Sequence, residues 1–91
     1  MKFISHRGNI DRVNENLENN PNYIQKALDL GYDVEIDVWG DKNLWLGHDE
    51  PQYQVYLRVI TKNFNKLWIH CKNIEALLYF KESGYEMNYF W

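Results

Sequence analysis

The stretch DVEIDVW, residues 33–39, decides how the chain is expected to fold. Three apolar residues alternate in it with four polar or aromatic ones, Val34, Ile36 and Val38 against Asp33, Glu35, Asp37 and Trp39. This alternation predicts a β-strand with one apolar and one polar face. Residues 40–43 read as a turn, and residues 44–46 read as a short returning strand. Glu35 and Asp37 therefore lie on the same face of this strand.

Strands and helices alternate on both sides of this stretch. Residues 2–5 read as a strand, residues 9–20 as a polar loop, and residues 67–71 and 86–91 as two further strands. Asn20 and Asn73 are typical helix caps, and Gly31 and Gly84 are typical helix ends. The residues predicted to be buried in the two helices are Tyr23, Ile24, Ala27 and Leu28 in one, and Ile74, Leu77 and Leu78 in the other. Residues 51–66 fit both a strand and a helix, and a short helix is favoured.

Alternating strands and helices predict the α/β class, with a parallel sheet and right-handed crossovers. In such sheets, reactive side chains gather at the carboxyl ends of the strands. The four tryptophans are more typical of core or wall residues than of a ligand platform.

The composition indicates one globular domain. The chain has 91 residues, 45% of them hydrophobic, and a formal net charge of −3, which favours neither nucleic acid nor an anionic membrane as a partner. Its single cysteine, Cys71, cannot form an intramolecular disulfide, so a reducing, cytoplasmic setting is expected. Neither a signal peptide nor a run of about 20 apolar residues is present, so no transmembrane segment is expected.

Residues that can carry chemistry fall at or near the predicted strand ends: His6 and Arg7, Glu35 and Asp37, His48, and His70 and Lys72. Two neighbouring carboxylates in a partly buried site favour a hard divalent ion such as Mg²⁺ or Ca²⁺. An antiparallel strand whose acidic face meets water would show the same spacing.

His6 and His48 form a natural acid–base pair, because histidine titrates near neutral pH. Arg7 offers a fork of donors and Lys72 a point charge to phosphate oxygens. Taken singly, each of these residues could equally be an ordinary loop histidine or surface cation.

As a set, these residues resemble the glycerophosphodiester phosphodiesterases. That family opens with a strand and His-Arg-Gly, continues with Glu-Asn and a helix, then a Glu-x-Asp strand and a His-Asp pair. The corresponding motifs here are, in the same order, 6–8 (HRG), 18–19 (EN), 35–37 (EID) and 48–49 (HD). The resemblance covers residues 3 to about 72.

The resemblance implies a fold, an activity and a set of roles. The fold would be the N-terminal part of a (β/α)8 TIM barrel, incomplete in this chain, with about four parallel strands and their helices. The activity would be metal-dependent hydrolysis of a small glycerophosphodiester or related phosphodiester. The implied roles are metal binding by Glu35 and Asp37, acid–base catalysis by His6 and His48, phosphate binding by Arg7 and Lys72, and support of the ligands by Glu18 and Asn19.

Two departures from the family pattern change these expectations. His70 stands where the family has a third carboxylate ligand, which makes His70 a tentative ligand and favours Mn²⁺ or Zn²⁺ over Ca²⁺. A milder change is Asn20, which stands where Thr is common.

The second departure is length, because a whole barrel needs about 200 residues or more. Self-association, or a missing C-terminal half of the barrel, is therefore expected to cover an open edge.

Two alternatives to this hydrolase remain open. A sphingomyelinase D-like lyase shares the two histidines and the Glu-x-Asp strand, and it would release a cyclic phosphate. A non-catalytic half-barrel would keep the site residues and act as a phosphate-binding, metal-binding or assembly module.

Overall fold

A computed structural model describes residues 4–10, 12–84 and 86–91 of the chain. These residues form six strands and three helices: β1 (Ile4–His6), α1 (Pro21–Asp29), β2 (Asp33–Gly40), β3 (Leu44–Leu46), β4 (Tyr53–Val55), α2 (Leu57–Lys62), β5 (Leu67–Cys71), α3 (Ile74–Ser83) and β6 (Asn88–Phe90). Of the first predicted strand, Lys2 and Phe3 lie outside the described residues, as does Tyr85 beside Gly84.

The six strands form one mixed sheet, with the order β4-β3-β2-β5-β6 and with β1 also paired to β2. β2 is parallel to β1 and β5, and β5 is parallel to β6, whereas β3 is antiparallel to both β2 and β4. The predicted barrel part with about four parallel strands is therefore wrong. Residues 41–43 are too short a connection for a parallel crossover, so the chain returns directly along β2.

One edge of β2 is shared by two strands. β1 pairs with the first three residues of β2, and β3 pairs with its last three. The backbone N–H of Arg7 donates to Glu35 O at 2.7 Å, and that of Gly47 donates to Asp37 O at 3.2 Å. The carboxyl ends of β1 and β3 thus meet beside the middle of β2, while β5 pairs with its opposite edge.

The sheet has an apolar face that the helices cover and a polar face. The buried core joins residues of β2, β3, β4 and β5 to residues of all three helices. Glu35 and Asp37 of β2 lie directly opposite Trp68 and His70 of β5, on the other face. The alternation predicted for β2 is thus confirmed. Three of the tryptophans, Trp39, Trp45 and Trp68, are only half-buried, and Trp91 is exposed, so they are not core residues.

The capped helices are found where the sequence predicts them, although one buries a different face. Asn20 and Asn73 cap α1 and α3, and α1 buries Ile24, Ala27 and Leu28 as predicted.

In α3 the buried residues are Ala76 and Phe80, whereas Ile74 and Leu78 are exposed. The reason is that the Asn73 side chain bonds both the N–H and the C=O of Gly40, which holds the start of α3 against the end of β2. The approach is so close that a Cβ added to Gly40 would lie 2.6 Å from the backbone N of Ala76.

The ambiguous segment 51–66 contains both candidate structures. Strand β4 comes first, and the favoured helix follows it as α2. Among the described residues, no helix is both long enough and apolar enough to cross a membrane.

We expect Gly40→Ala to destabilise the fold by about 2–3 kcal/mol, because an added Cβ would lie 2.6 Å from the backbone N of Ala76. Urea unfolding at constant m-value measures this. Gly31→Ala is the control: its added Cβ meets nothing within 4 Å, and only its φ of +92° opposes the change, which costs about 1 kcal/mol. Equal losses for the two variants would contradict the close packing of α3 on β2.

Candidate functional site

The segment 6–9 makes a tight turn after β1. The N–H of Asn9 donates to His6 O at 3.0 Å, and the two central residues, Arg7 and Gly8, have φ of 58° and 93°. This is the geometry of a type I′ turn, which a non-glycine residue such as Arg7 adopts at a cost of about 1 kcal/mol. A Cβ on Gly8 would lie 2.7 Å from the Tyr23 ring. The turn directs Arg7 towards the middle of β2.

Asp37 is the centre of the site. Its side chain is 1% exposed, and Arg7 Nε lies 2.8 Å from its Oδ2. Asn19 Nδ2 donates to Oδ2 at 3.0 Å, and His70 Nδ1 lies 3.1 Å from Oδ1. A carboxylate only accepts hydrogen bonds, so His70 Nδ1 carries the proton in this contact. Three segments of the chain thus bring one cation and two hydrogen-bond donors to a single buried carboxylate.

These donors set the protonation state of Asp37. Burial alone would raise the pKa of its carboxyl, but the Asn19 hydrogen bond, the Arg7 charge, the His70 hydrogen bond and the Lys72 charge together hold that pKa below its ordinary value. Asp37 is therefore ionised at neutral pH, and Arg7 is its principal counter-charge.

His48 approaches the same carboxylate from the end of β3. Its Nδ1 lies 3.6 Å from Asp37 Oδ2, and its Nε2 lies 3.5 Å from Arg7 Nη2. The turn that delivers it is fixed at Gly47, whose carbonyl accepts a hydrogen bond of 2.7 Å from Trp39 Nε1. An added Cβ on Gly47 would overlap Glu50 O, so only glycine fits there.

His6 occupies a different position from His48. It lies directly opposite Glu35 in the pairing of β1 with β2, and its Nε2 is 3.3 Å from Glu35 Oε1. The two predicted catalytic histidines thus contact different carboxylates.

The polar loop before α1 supplies Glu18 and Asn19, the two residues predicted to support the ligands. Glu18 accepts hydrogen bonds from Asn9 Nδ2 at 2.7 Å and from Arg7 Nη1 at 3.5 Å. Asn19 is fully buried, and its Oδ1 accepts a hydrogen bond of 2.9 Å from the N–H of Asp37. Both residues lie beside the Arg7–Asp37 ion pair.

β5 contributes the other two predicted residues. The His70 ring stacks on Phe90 of β6, with centroids 5.2 Å apart and planes inclined by 3°. Lys72 follows β5, and its N–H donates to Val38 O at 2.8 Å. Its charge favours the ionised form of Asp37, but Lys72 does not line the cavity described next.

A polar cavity of about 540 Å³ opens beside Arg7 and His48. Its other lining residues are Glu15, Asn16, Glu18, Asp49, Glu50 and Gln52. Arg7 and His48 are the two of these residues whose side chains can carry a positive charge. A cavity of this size accommodates a small molecule.

Each of the predicted metal ligands already contacts another side chain in this arrangement. Asp37 already faces Arg7, Asn19 and His70, and Glu35 faces His6. His70 directs Nδ1 at Asp37 at 3.1 Å, so its Nε2 is the ring nitrogen left to bind a metal. In the part of the chain that the structure describes, no three carboxylate, histidine or cysteine side chains converge as a metal-binding group. The metal stays a prediction from the resemblance.

Comparison with known proteins adds no family to these observations: no family model, no curated protein and no solved structure matches the chain.

Sequence reasoning missed several residues that shape the site. Asn9 binds Glu18 and also accepts a hydrogen bond of 3.0 Å from the Tyr23 hydroxyl. Phe90 supports His70, and alternation along β6 opposite β5 could have indicated it. The polar residues that line the cavity carry no periodic signal, because they lie in loops.

We expect Asp37→Asn to be less stable than wild type by about 3 kcal/mol at pH 7, because Arg7 would lose its buried counter-charge. The pKa of Asp37 lies below its ordinary value, so the unfolded chain takes up the proton first as pH falls. The stability difference should therefore hold from pH 7 to about pH 4 and shrink below that.

Urea unfolding from pH 7 to pH 3 measures this difference. The exposed carboxylate of Asp29 provides the control, because Asp29→Asn should change stability by less than about 0.5 kcal/mol. A wild-type advantage that grows below pH 4 would contradict the lowered pKa.

The contacts of Asp37 also predict the response to metal. Millimolar Mg²⁺, Ca²⁺ or Mn²⁺ should leave the wild-type Tm unchanged, because Arg7, Asn19 and His70 already face the Asp37 carboxylate and an ion would have to displace them. Only an ion that binds the folded chain raises its Tm. A Tm that rises with metal concentration in wild type, but not in Asp37→Asn, would show that the side chains rearrange to take the ion.

Proposed function

We propose that the chain binds a small phosphodiester at Arg7 and cleaves it by proton transfer through His6 and His48. The observation that carries the proposal is the convergence of Arg7 and His48 from the ends of β1 and β3. Their Nη2 and Nε2 atoms lie 3.5 Å apart, and both residues line the same cavity. A guanidinium and an imidazole at one cavity wall suit the binding of a phosphate ester and the transfer of a proton to or from it.

Arg7 is suited to hold the phosphate. Its Nε faces Asp37, which fixes the guanidinium. Its Nη1 and Nη2 lie as far as 3.5 Å from their partners, Glu18 and His48. Such long contacts are weak. Phosphate oxygens accept shorter, charge-assisted hydrogen bonds from guanidinium groups, and a forked pair fixes their orientation.

The two histidines are suited to the proton transfers. In hydrolysis, water forms the new P–O bond, one imidazole takes a proton from that water, and the ester P–O bond breaks. The other imidazole gives a proton to the leaving alcohol oxygen. The products are one phosphomonoester and one alcohol, so atoms and charges balance. The motif resemblance to glycerophosphodiester phosphodiesterases supports a glycerol-containing substrate.

Binding without cleavage is the second candidate function. His6 contacts Glu35 and is not among the residues that line the cavity, while Arg7 and His48 are. Phosphate binding needs only Arg7, but cleavage needs both histidines to reach one substrate. Turnover therefore separates the two candidates.

We expect His6→Asn and His48→Asn each to lower kcat for a glycerophosphodiester by about 100-fold or more, as loss of a general acid or base does. Arg7→Lys should raise KM instead, because lysine lacks the fork of donors. Arg58→Lys is the matched control: Arg58 lies on α2, over the Tyr56 ring.

Release of alcohol and phosphomonoester, followed by chromatography, measures this activity. A cyclic phosphate as the final product would indicate the lyase variant. Phosphate binding without turnover would favour the binding module. If wild type neither turns over the ester nor binds phosphate, the proposal is wrong.

A further inference from the structure

We infer that Asn19 is the positioning residue that holds Arg7 in place for phosphate, through Asp37. This inference rests on the proposed phosphate site. It assigns Asn19 to the guanidinium, whereas the motif resemblance assigns it only to the support of metal ligands.

Asn19 joins the segments that carry Arg7 and Asp37. Its backbone N–H donates to Arg7 O at 3.0 Å, its Oδ1 accepts from the N–H of Asp37 at 2.9 Å, and its Nδ2 donates to Asp37 Oδ2 at 3.0 Å. The residue is 0% exposed, so water cannot replace these bonds. One side chain thus fixes both the backbone and the carboxylate of Asp37.

The backbone of Asn19 is as restricted as its side chain. Its φ is 64°, in the left-handed region, where asparagine is among the few non-glycine residues tolerated. Arg7, at the other end of the 3.0 Å bond, has φ of 58°. The bond between them therefore stabilises two adjacent backbone conformations that most residues avoid.

Only asparagine meets all of these requirements. Aspartate tolerates the same φ and can accept from the N–H of Asp37, but it has no donor for Oδ2 and adds a negative charge there. Glycine is free at positive φ, but it has no amide group. Without the Nδ2 bond, Asp37 Oδ2 loses its amide donor, and His70 holds the carboxylate at Oδ1 alone. The oxygen that faces Arg7 Nε is then less firmly fixed, and so is the direction of the guanidinium fork.

The experiment compares inorganic phosphate binding by calorimetry in wild type, Asn19→Asp and Asn20→Asp, all as the full chain. Asn20→Asp is the matched control, because it makes the same chemical change one residue away, at the cap of α1, where aspartate also caps. Asn19→Asp should weaken phosphate binding by about tenfold or more, whereas Asn20→Asp should change it by less than about twofold.

A double-mutant cycle separates positioning from general loss of structure. In an Arg7→Lys background, which keeps a charge but has no fork, Asn19→Asp should weaken phosphate binding by less than about twofold. Full additivity of the two changes would overturn the inference, and so would wild-type affinity in Asn19→Asp.

A spectroscopic signature tests Asn19 independently of phosphate. In ¹⁵N-labelled protein, the Arg7 Nε–H resonance should be protected from solvent exchange in wild type and in Asn20→Asp, and lost in Asn19→Asp. If Asn19→Asp fails to fold, Asn19→Gly replaces it in this test. Glycine tolerates the positive φ and keeps the backbone bond to Arg7 O but has no amide side chain, so the Arg7 Nε–H resonance should be lost in this variant too. If wild type does not bind phosphate, the proposed function fails, and this resonance alone decides the role of Asn19.

Discussion

A carboxylate in the middle of β2, with 1% of its side chain exposed, has to be neutralised by groups that the fold brings to it. Asp37 receives Arg7 from the turn after β1, Asn19 from the loop before α1 and His70 from β5. Arg7 and Asn19 reach the carboxylate from irregular segments with positive φ, whereas His70 reaches it from within β5. Arg7 is half-buried and would in turn lose its closest counter-charge without Asp37, so each charge depends on the other. The loop, the turn and two strand pairings are tied together at this one group.

The site lies in the gap between two strands that share an edge. β1 leaves β2 after its first three residues, and β3 takes up the same edge at its last three. Between them the edge carries Arg7 and His48 on the two strand ends. In a parallel α/β sheet, reactive groups gather because all strands end at one rim. Here one strand is parallel and the other antiparallel, yet their ends still meet, because they approach the same point from opposite directions.

The sequence predicted the local structure better than the assembly. The alternation of Asp33–Trp39 and the two asparagine caps are signals within one segment, and the structure has the elements that they predict. The order of strands depends on contacts between segments. Residues 40–43 predict a turn, and so short a link forces an antiparallel return and a mixed sheet. The alternation of strands and helices elsewhere in the chain favours a parallel barrel instead. The face of α3 also depended on a contact with Gly40 that periodicity cannot show. The sequence predicted that all the site residues form one group at the strand ends. The structure brings Arg7, His48 and His70 to Asp37. It pairs His6 with Glu35 instead, through a strand register that motif order cannot show.

The backbone conformations at Arg7 and Asn19 show why general sequence rules fail at this site. Both residues have positive φ, and the first belongs to a type that rarely adopts it. A glycine at residue 7 would relieve the backbone, but it would remove the guanidinium that balances Asp37. The fold keeps the disfavoured backbone because hydrogen bonds from Arg7 to Glu35 O and from Asn19 to Arg7 O hold it on both sides. Strain of this kind persists only where surrounding contacts over-determine it. The chain thus departs from backbone preference at the place where the Arg7–Asp37 ion pair meets the cavity.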